Sequence, residues 1–365
     1  MSTTKAIINL GNFEHNVRYM QSIAKKAEIY PVIKANAYGH GFIRVARKIA
    51  DLKLKGVCIA TINELEELTN LNLNYSILHL GRLSFSDFSL YQNNNVIATI
   101  NTLDDAKNIK KFNNSNKAVR AHIKVDTGMT RMGCDIKNFD KILNYCLKTD
   151  SISLEGIYSH LANSESRNSN YNKQQFKIFE KILNHLKGKS LDYLKIHLLN
   201  SGGLLNSFEF NSDIIRSGLA LYGISPLKNN SRKLKPVMEL KAPIVLNKNI
   251  TKGTMIGYGC SYEAKKDMKV SMIQCGYGDG IPYEFSNQGF VYYNNKKIPI
   301  VGRVSMDLIS IDTTLIDCKI NEYVTIWGGS SFDSRVEEIA SFFDSIPYTY
   351  ITGITDRVIR EYIDD

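Results

Sequence analysis

Lys34 closes a short apolar run and opens a small polar turn, Pro31-Val32-Ile33-Lys34-Ala35-Asn36-Ala37-Tyr38-Gly39-His40-Gly41. A buried strand there would leave its lysine at the strand end, partly withdrawn from water. Desolvation lowers a lysine pKa and makes the amine a usable nucleophile or base. Schiff-base formation with an aldehyde is a chemistry that needs such a lysine. The same side chain could also run its aliphatic stem to water and do nothing. Corroboration has to come from other residues.

Several polar groups sit in the same kind of place, just after an apolar run. They are Lys124-Val125-Asp126-Thr127-Gly128-Met129-Thr130-Arg131, Ser159-His160, Asn200-Ser201-Gly202-Gly203 and Arg216-Ser217-Gly218-Leu219. The last two supply backbone N–H groups and hydroxyls, as phosphate-binding loops at the mouth of a barrel do. A strand-end lysine with a phosphate cradle fits a phosphorylated aldehyde, and pyridoxal 5'-phosphate is one. Arg216 would lie at the pyridine nitrogen. An arginine stays charged and cannot accept that proton. Less charge then flows into the ring, which favours return of a proton to Cα and so racemisation over transamination. A structural salt bridge at the barrel mouth is the commoner fate of such an arginine. Racemisation needs a second acid/base on the opposite face of Cα. Tyr258, framed as Gly257-Tyr258-Gly259, is a candidate, since a tyrosine can serve as acid/base.

The elements that would position these groups alternate. Strand-like runs fall at 29–34, 56–61, 76–80, 96–100, 119–125, 154–159, 195–199 and 214–216. Helical spacing lies between most of them, clearest over 174–186. An amphipathic helix over 9–27 precedes the first run, with Asn9 as its N-cap. The pattern predicts an α/β fold, an N-terminal (β/α)8 TIM-type barrel, with a doubly wound open sheet as the competing topology. Past 227 the texture turns to short β runs between Gly and Pro turns, at 244–246, 270–274, 290–293, 298–301 and 323–326. The division predicted is a cofactor-binding barrel over 1–232 and a C-terminal mostly β domain over 233–365.

Composition narrows the classes. The chain has 365 residues, 43% hydrophobic and 22% charged, which suits a globular protein with two cores. No apolar run is long enough for a membrane span, and the first residues lack the apolar core of a signal peptide. A cytoplasmic location is the expectation. The net charge of +10 is scattered, with no basic stripe interleaved with aromatics, so nucleic acid is not an expected partner. Six cysteines form no CxxC pair and no His pair has zinc spacing, so no metal is expected.

Taken together, the motifs resemble the alanine racemase family, the fold-type III pyridoxal-phosphate enzymes that make D-alanine for peptidoglycan. They are the Lys34 run, 124–129, Arg216 to Gly223, Gly257-Tyr258-Gly259, Gly276-Tyr277-Gly278-Asp279-Gly280 and Gly302-Arg303-Val304-Ser305-Met306-Asp307. The resemblance spans essentially the whole chain. It implies that Lys34 holds the cofactor and acts on D-alanine, while Tyr258 acts on L-alanine from the second subunit of a head-to-tail homodimer. It further implies Tyr38, Ser201, Gly218 and Leu219 at the phosphate, and Arg216 at the ring nitrogen. His160 would link Arg216 to Tyr258. Arg131 and the Met306 N–H would bind the substrate carboxylate, and Tyr277 would wall the substrate channel. Lys124 matches a position carbamylated in many members. Two positions depart from the family pattern. Tyr283 stands where an arginine often lines the channel, and Asp356 where some members place a phosphate-binding tyrosine. The first leaves a broader racemase, acting on serine or lysine, as the alternative.

Overall fold

A computed structural model describes residues 3–227, 233–329 and 331–364. Arg232, on the expected domain boundary, lies outside the described residues.

The first domain is a closed parallel barrel. Its strands are β2 (Glu28–Pro31), β3 (Gly56–Ile59), β4 (Ser76–His79), β5 (Val96–Ile100), β6 (Val119–Lys124), β7 (Ile152–Tyr158), β8 (Lys195–His197) and β9 (Ile214–Ser217). Strands β3 to β8 pair in sequence order and β2 pairs with β9. Parallel bridges Val32–Cys58 and Asn200–Arg216 close the ring. The open-sheet alternative is thereby excluded.

Helices α1 (Leu10–Ala24), α3 (Phe42–Asp51), α4 (Ile62–Asn70), α5 (Leu103–Phe112), α6 (Ile136–Lys148) and α7 (Asn170–Leu186) surround the strands; α2 and α8 are one-turn pieces at the rim (Lys34–Tyr38 and Ser201–Leu205). Helix α1 behaves as its spacing dictates. Leu10, Phe13, Val17, Met20 and Ala24 are buried on one face, and the Asn9 side chain accepts from the Asn12 N–H at 2.8 Å. Each such large apolar side chain contributes roughly 1.5–3 kcal/mol on burial.

The second domain is built on a sheet in the order β15–β14–β17–β10–β1–β18, with β13 against β10 and β16 against β13. The spans are β1 (Lys5–Asn9), β10 (Met238–Ile250), β13 (Met268–Ile273), β14 (Phe290–Tyr293), β15 (Lys296–Pro299), β16 (Ile309–Asp312), β17 (Tyr323–Trp327) and β18 (Ile359–Ile363). A small hairpin, β11 (Met255–Ile256) with β12 (Tyr262–Glu263), carries Tyr258 between its strands. Two short helices, α9 (Val336–Phe342) and α10 (Pro347–Thr352), complete it. Strand β1, at the start of the chain, is thus a strand of the C-terminal sheet.

The lysine run is shorter as a strand than its apolar length predicts. β2 stops at Pro31, and only single backbone bonds continue it, Val32 N–H to Ser217 O at 2.7 Å and Ile33 N–H to Cys58 O at 3.0 Å. The chain then winds left-handed, with φ of 52, 55, 52 and 53° at Ala35, Asn36, Ala37 and Tyr38. That hand costs L-residues about 1–2 kcal/mol each. Bonds within the turn and from outside it hold the conformation. Glu64 Oε1 accepts from Ala35 N–H at 2.7 Å, and Asn36 Oδ1 accepts from Phe42 N–H at 2.7 Å. Glu64 Oε2 meanwhile caps α4 by accepting from Ala60 and Thr61 N–H. Glu64→Ala is therefore expected to cost about 1–2 kcal/mol of stability and to weaken cofactor retention. Thermal unfolding and dialysis against buffer measure both; unchanged retention would show that the turn does not depend on Glu64.

Candidate active site

At the C-terminal mouth of the barrel lies a cavity of about 570 Å³. Its walls include Lys34, Tyr38, Lys124, Arg131, His160, Ser201, Arg216, Gly218 and Leu219. Every barrel residue singled out from the sequence as a site residue is on this wall. The strand ends put them there, since β2, β6, β7, β8 and β9 all point their C-termini at one opening.

The electrostatics are cationic. Burial, and then the charge of Arg131, hold the half-buried Lys34 amine below its ordinary value. Lys124 is 6% exposed, and burial with Arg216 and Arg131 nearby brings it down to about 8. His160 is held well below its usual value by burial and then by Arg216, Arg131, Lys124 and Lys34. A cavity that gathers Lys34, Lys124, Arg131 and Arg216, with Glu165 the acidic residue on its wall, is suited to anions.

One end of the cavity is a cradle. Ser201 Oγ accepts from the Gly218 N–H at 3.0 Å and lies 3.0 Å from Ser217 Oγ. Ser201 opens α8, where Asn200 Oδ1 accepts from Gly203 N–H. The Tyr38 hydroxyl comes so near Gly218 that a Cβ built there would sit 2.6 Å from it. Only glycine lets hydroxyl and backbone N–H converge at that point.

Arg216 forms the other end. It is 3% exposed and lies over the Tyr158 ring at 4.9 Å. Its Nη2 donates to Ser159 O at 2.5 Å and is 3.3 Å from His160 Nδ1. The sequence reading anticipated the His160 contact from the family resemblance. It did not anticipate Tyr158, which floors the cavity, or Tyr348 of α10, whose ring stands 5.8 Å from that of Tyr38 on the cavity wall. Tyr158 reads as barrel core, and Tyr348 lies in a helix that the β-rich texture hid. Gln175 was also missed. It is fully buried, donates to Thr127 Oγ1 and His160 O, and accepts from Ala162 N–H. It ties the loop after β6 to the loop after β7.

Tyr258 and Met306 are not on the wall of this cavity. Tyr258 is 73% exposed at the tip of its hairpin, and Met306 is 50% exposed. They share one outward face with Arg303, which packs on Gly257 and Gly259, and with Tyr277, whose N–H donates to Ser305 O. Tyr283 is exposed too. Asp356 points fully into solvent, 3.9 Å from Arg360. Arg357, which stands beside it, pairs instead with Asp307 and Asp279. Among the described residues no cluster of His, Cys, Asp or Glu could hold a metal ion, and no helix is long and apolar enough to cross a membrane.

Fold and cavity together define a class, a (β/α)8-barrel enzyme with an appended β domain and an anion-binding lysine site. The comparisons with known proteins narrow it. Residues 8–226 match the family model described as alanine racemase, N-terminal domain, and residues 237–362 match alanine racemase, C-terminal domain. The chain belongs to the alanine racemase family. An alanine racemase of Desulforamulus reducens is 33% identical over 98% of both chains. The alanine racemase of Bartonella henselae, solved with covalently bound pyridoxal phosphate, superposes with a TM-score of 0.89 over the full length of both chains at 30% identity. That of Bacillus anthracis with bound L-Ala-P gives a TM-score of 0.91 at 27% identity, covering 100% of this chain and 96% of the other.

Proposed function

We propose that this chain is a pyridoxal 5'-phosphate-dependent isomerase that interconverts L-alanine and D-alanine and so supplies D-alanine for peptidoglycan synthesis in the cytoplasm. The observation that carries the reading is the convergence of Lys34, the Tyr38–Ser201–Gly218 cradle and Arg216 on one cavity.

The residues fit the cofactor. Tyr38 and Ser201 hydroxyls with the Gly218 and Leu219 backbone would hold the phosphate, and Arg216 would face the ring nitrogen. Among the described residues Arg216 Nε donates to none, since the bonds made within the protein come from Nη1 and Nη2. When bound, the cofactor would withdraw electrons from the substrate Cα and make its proton removable. Lys34 would tether the cofactor at rest, and its amine, kept below the ordinary lysine value, would take or return the Cα proton on one face. Tyr258 of a second copy does so on the other face. Arg131 and the Met306 N–H of that second copy hold the substrate carboxylate. His160 passes hydrogen bonds between Arg216 and that tyrosine. The exposed face bearing Tyr258 and Met306 supports a homodimer with shared sites. The division into a cofactor barrel over 1–232 and a β domain over 233–365 belongs to the same reading, with β1 lent by the first part to the second.

Lys124 would carry a carbamate. A buried amine brought down to about 8 is about a quarter neutral near pH 7.5, far more than an ordinary lysine, and the neutral amine is the form that captures carbon dioxide. The added negative charge would orient Arg131. In ¹³C-bicarbonate a carbamate carbon signal should appear and vanish in Lys124→Ala; its absence from the native protein would refute the modification.

A broader racemase, acting on serine or lysine, is the second reading. Tyr283 favours it, because it stands where the family often places an arginine in the substrate channel. Chiral chromatography after incubation with each amino acid and added cofactor tests both. Racemisation of alanine alone supports the narrow reading, and comparable rates on serine or lysine the broad one. No turnover of any of them would sink both.

A further inference from the structure

Behind Arg216 lie His197 and His122, which are not on the cavity wall. Nη1 of Arg216 donates to His197 Nδ1 at 2.6 Å, and His197 Nε2 lies 2.9 Å from His122 Nδ1. His197 is 0% exposed and His122 1%. The His197 ring is stacked on Tyr158 at 4.8 Å with 11° between planes. The Tyr158 hydroxyl is in turn hydrogen-bonded to Thr99 Oγ1 at 2.9 Å, and Thr99 Oγ1 donates to His79 O at 2.7 Å. Among the described residues no carboxylate pairs with Arg216.

Hydrogen-bond chemistry fixes the direction of this chain. A guanidinium has donors only. His197 Nδ1 must therefore present a lone pair. A neutral imidazole carries its one proton on the other nitrogen, so Nε2–H of His197 donates to His122 Nδ1. His122 must then carry its own proton on Nε2. Every bond runs one way, Arg216 to His197 to His122. Both rings stay neutral, since burial and then cationic neighbours bring His122 down to about 3 and hold His197 well below its usual value.

We propose that His197, itself oriented by His122, is a positioning residue that sets the geometry of Arg216 without cancelling its charge. This rests on the reading that Arg216 faces the cofactor ring. A carboxylate in the place of His197 would hold the guanidinium as firmly and would neutralise its field. A neutral imidazole accepts the hydrogen bond and leaves the charge to act on the ring nitrogen. Tyr158 adds to the same arrangement, because its ring lies against both Arg216 and the stacked imidazole. His197 and His122 act through Arg216 and touch neither cofactor nor substrate.

Two measurements test it. The first is a two-bond ¹H–¹⁵N correlation spectrum of the full-length protein with and without pyridoxal phosphate, assigned by loss of signals in His197→Asn. His197 should be protonated at Nε2 and bare at Nδ1 in both states. A protonated Nδ1 or an imidazolium overturns the proposal, whatever the enzyme's activity. The second compares His197→Asn with His197→Leu. Asparagine places an amide oxygen near the former Nδ1 and can still accept from Arg216; leucine cannot. His197→Asn should stay within about threefold of the native kcat, while His197→Leu falls about 10- to 100-fold with little change in KM, as expected for a misplaced reacting group. Equal losses in the two variants, or a native kcat in His197→Leu, would overturn it. If His197→Leu fails to fold, the spectrum and His197→Asn decide. A native chain with no racemase activity would defeat the functional reading instead, and the tautomer result would still stand or fall by itself.

Discussion

Replacing Lys34 by alanine is expected to lower racemisation by at least ~10³-fold and to leave a protein that no longer holds its cofactor covalently. Nucleophile and base are lost in one substitution. Stability should change little, because Lys34 is half-buried and its backbone turn is held by Glu64, Asn36 and bonds to Ile33 rather than by the amine. The check is borohydride reduction of the native protein followed by peptide mapping. The reduced cofactor should appear on Lys34 and on no other peptide. Label on Lys124, which shares the cavity and also has a lowered pKa, would reassign the tether. Retained turnover in Lys34→Ala would remove the lysine from the mechanism altogether.

Tyr258→Phe should be the most lopsided of the variants, though net turnover will not show it. The equilibrium constant of a racemisation is unity, so kcat/KM must fall equally in both directions. The asymmetry lives in proton exchange. With Tyr258 gone, Lys34 can still remove and return the D-alanine proton, so deuterium from solvent should enter D-alanine with retained configuration. Exchange into L-alanine should fall by about 10²–10⁴-fold, the usual worth of a positioned acid/base. Equal exchange losses for both enantiomers would end the two-base assignment. Folding of the chain gives no confounding signal, since Tyr258 is 73% exposed on a hairpin tip and removal of its hydroxyl should cost under ~0.5 kcal/mol.

The same pair of variants reports on whose tyrosine serves which lysine. Tyr258 lies off the wall of the cavity that holds Lys34 of its own chain. In the proposed homodimer, when Lys34→Ala and Tyr258→Phe proteins are mixed and allowed to exchange subunits, half of the dimers should be hybrids. Each hybrid has one site with both groups intact. Roughly a quarter of native activity should return from two nearly inactive parents, as the geometry of a shared two-fold assembly requires. No recovery would place both groups in one chain's site.

Most of the cavity was legible from sequence for one physical reason. Barrel strands end at a common opening, so polar residues following apolar runs fall together without any knowledge of the strands' neighbours. Lys34, Lys124, Arg131, His160, Ser201 and Arg216 were found that way. Residues inside the barrel gave no such signal. Tyr158 and His197 sit within apolar strands, and only the pairing of β7 with β8 brings their rings together. The left-handed turn after Lys34 was equally silent, because Ala35, Asn36, Ala37 and Tyr38 include no glycine to announce a positive φ. Strand β1 escaped because it is short and its partners lie more than two hundred residues away, Leu240 opposite Ala6 and Arg360 beside it. Helices α9 and α10 were masked by the β-rich texture around them.

That first strand also governs the order in which the molecule can be completed during synthesis. β1 is made long before either of its partners, yet it is hydrogen-bonded on one side to β10 and on the other to β18. Ala6 and Ile8 are fully buried there, and until β10 and β18 are made the strand lacks a neighbour on each of its edges. A barrel released early would carry an unpaired, half-apolar edge, the kind of surface that invites pairing with another chain. Loss of β18 should therefore be felt at β1, which it pairs from Lys5 to Asn9.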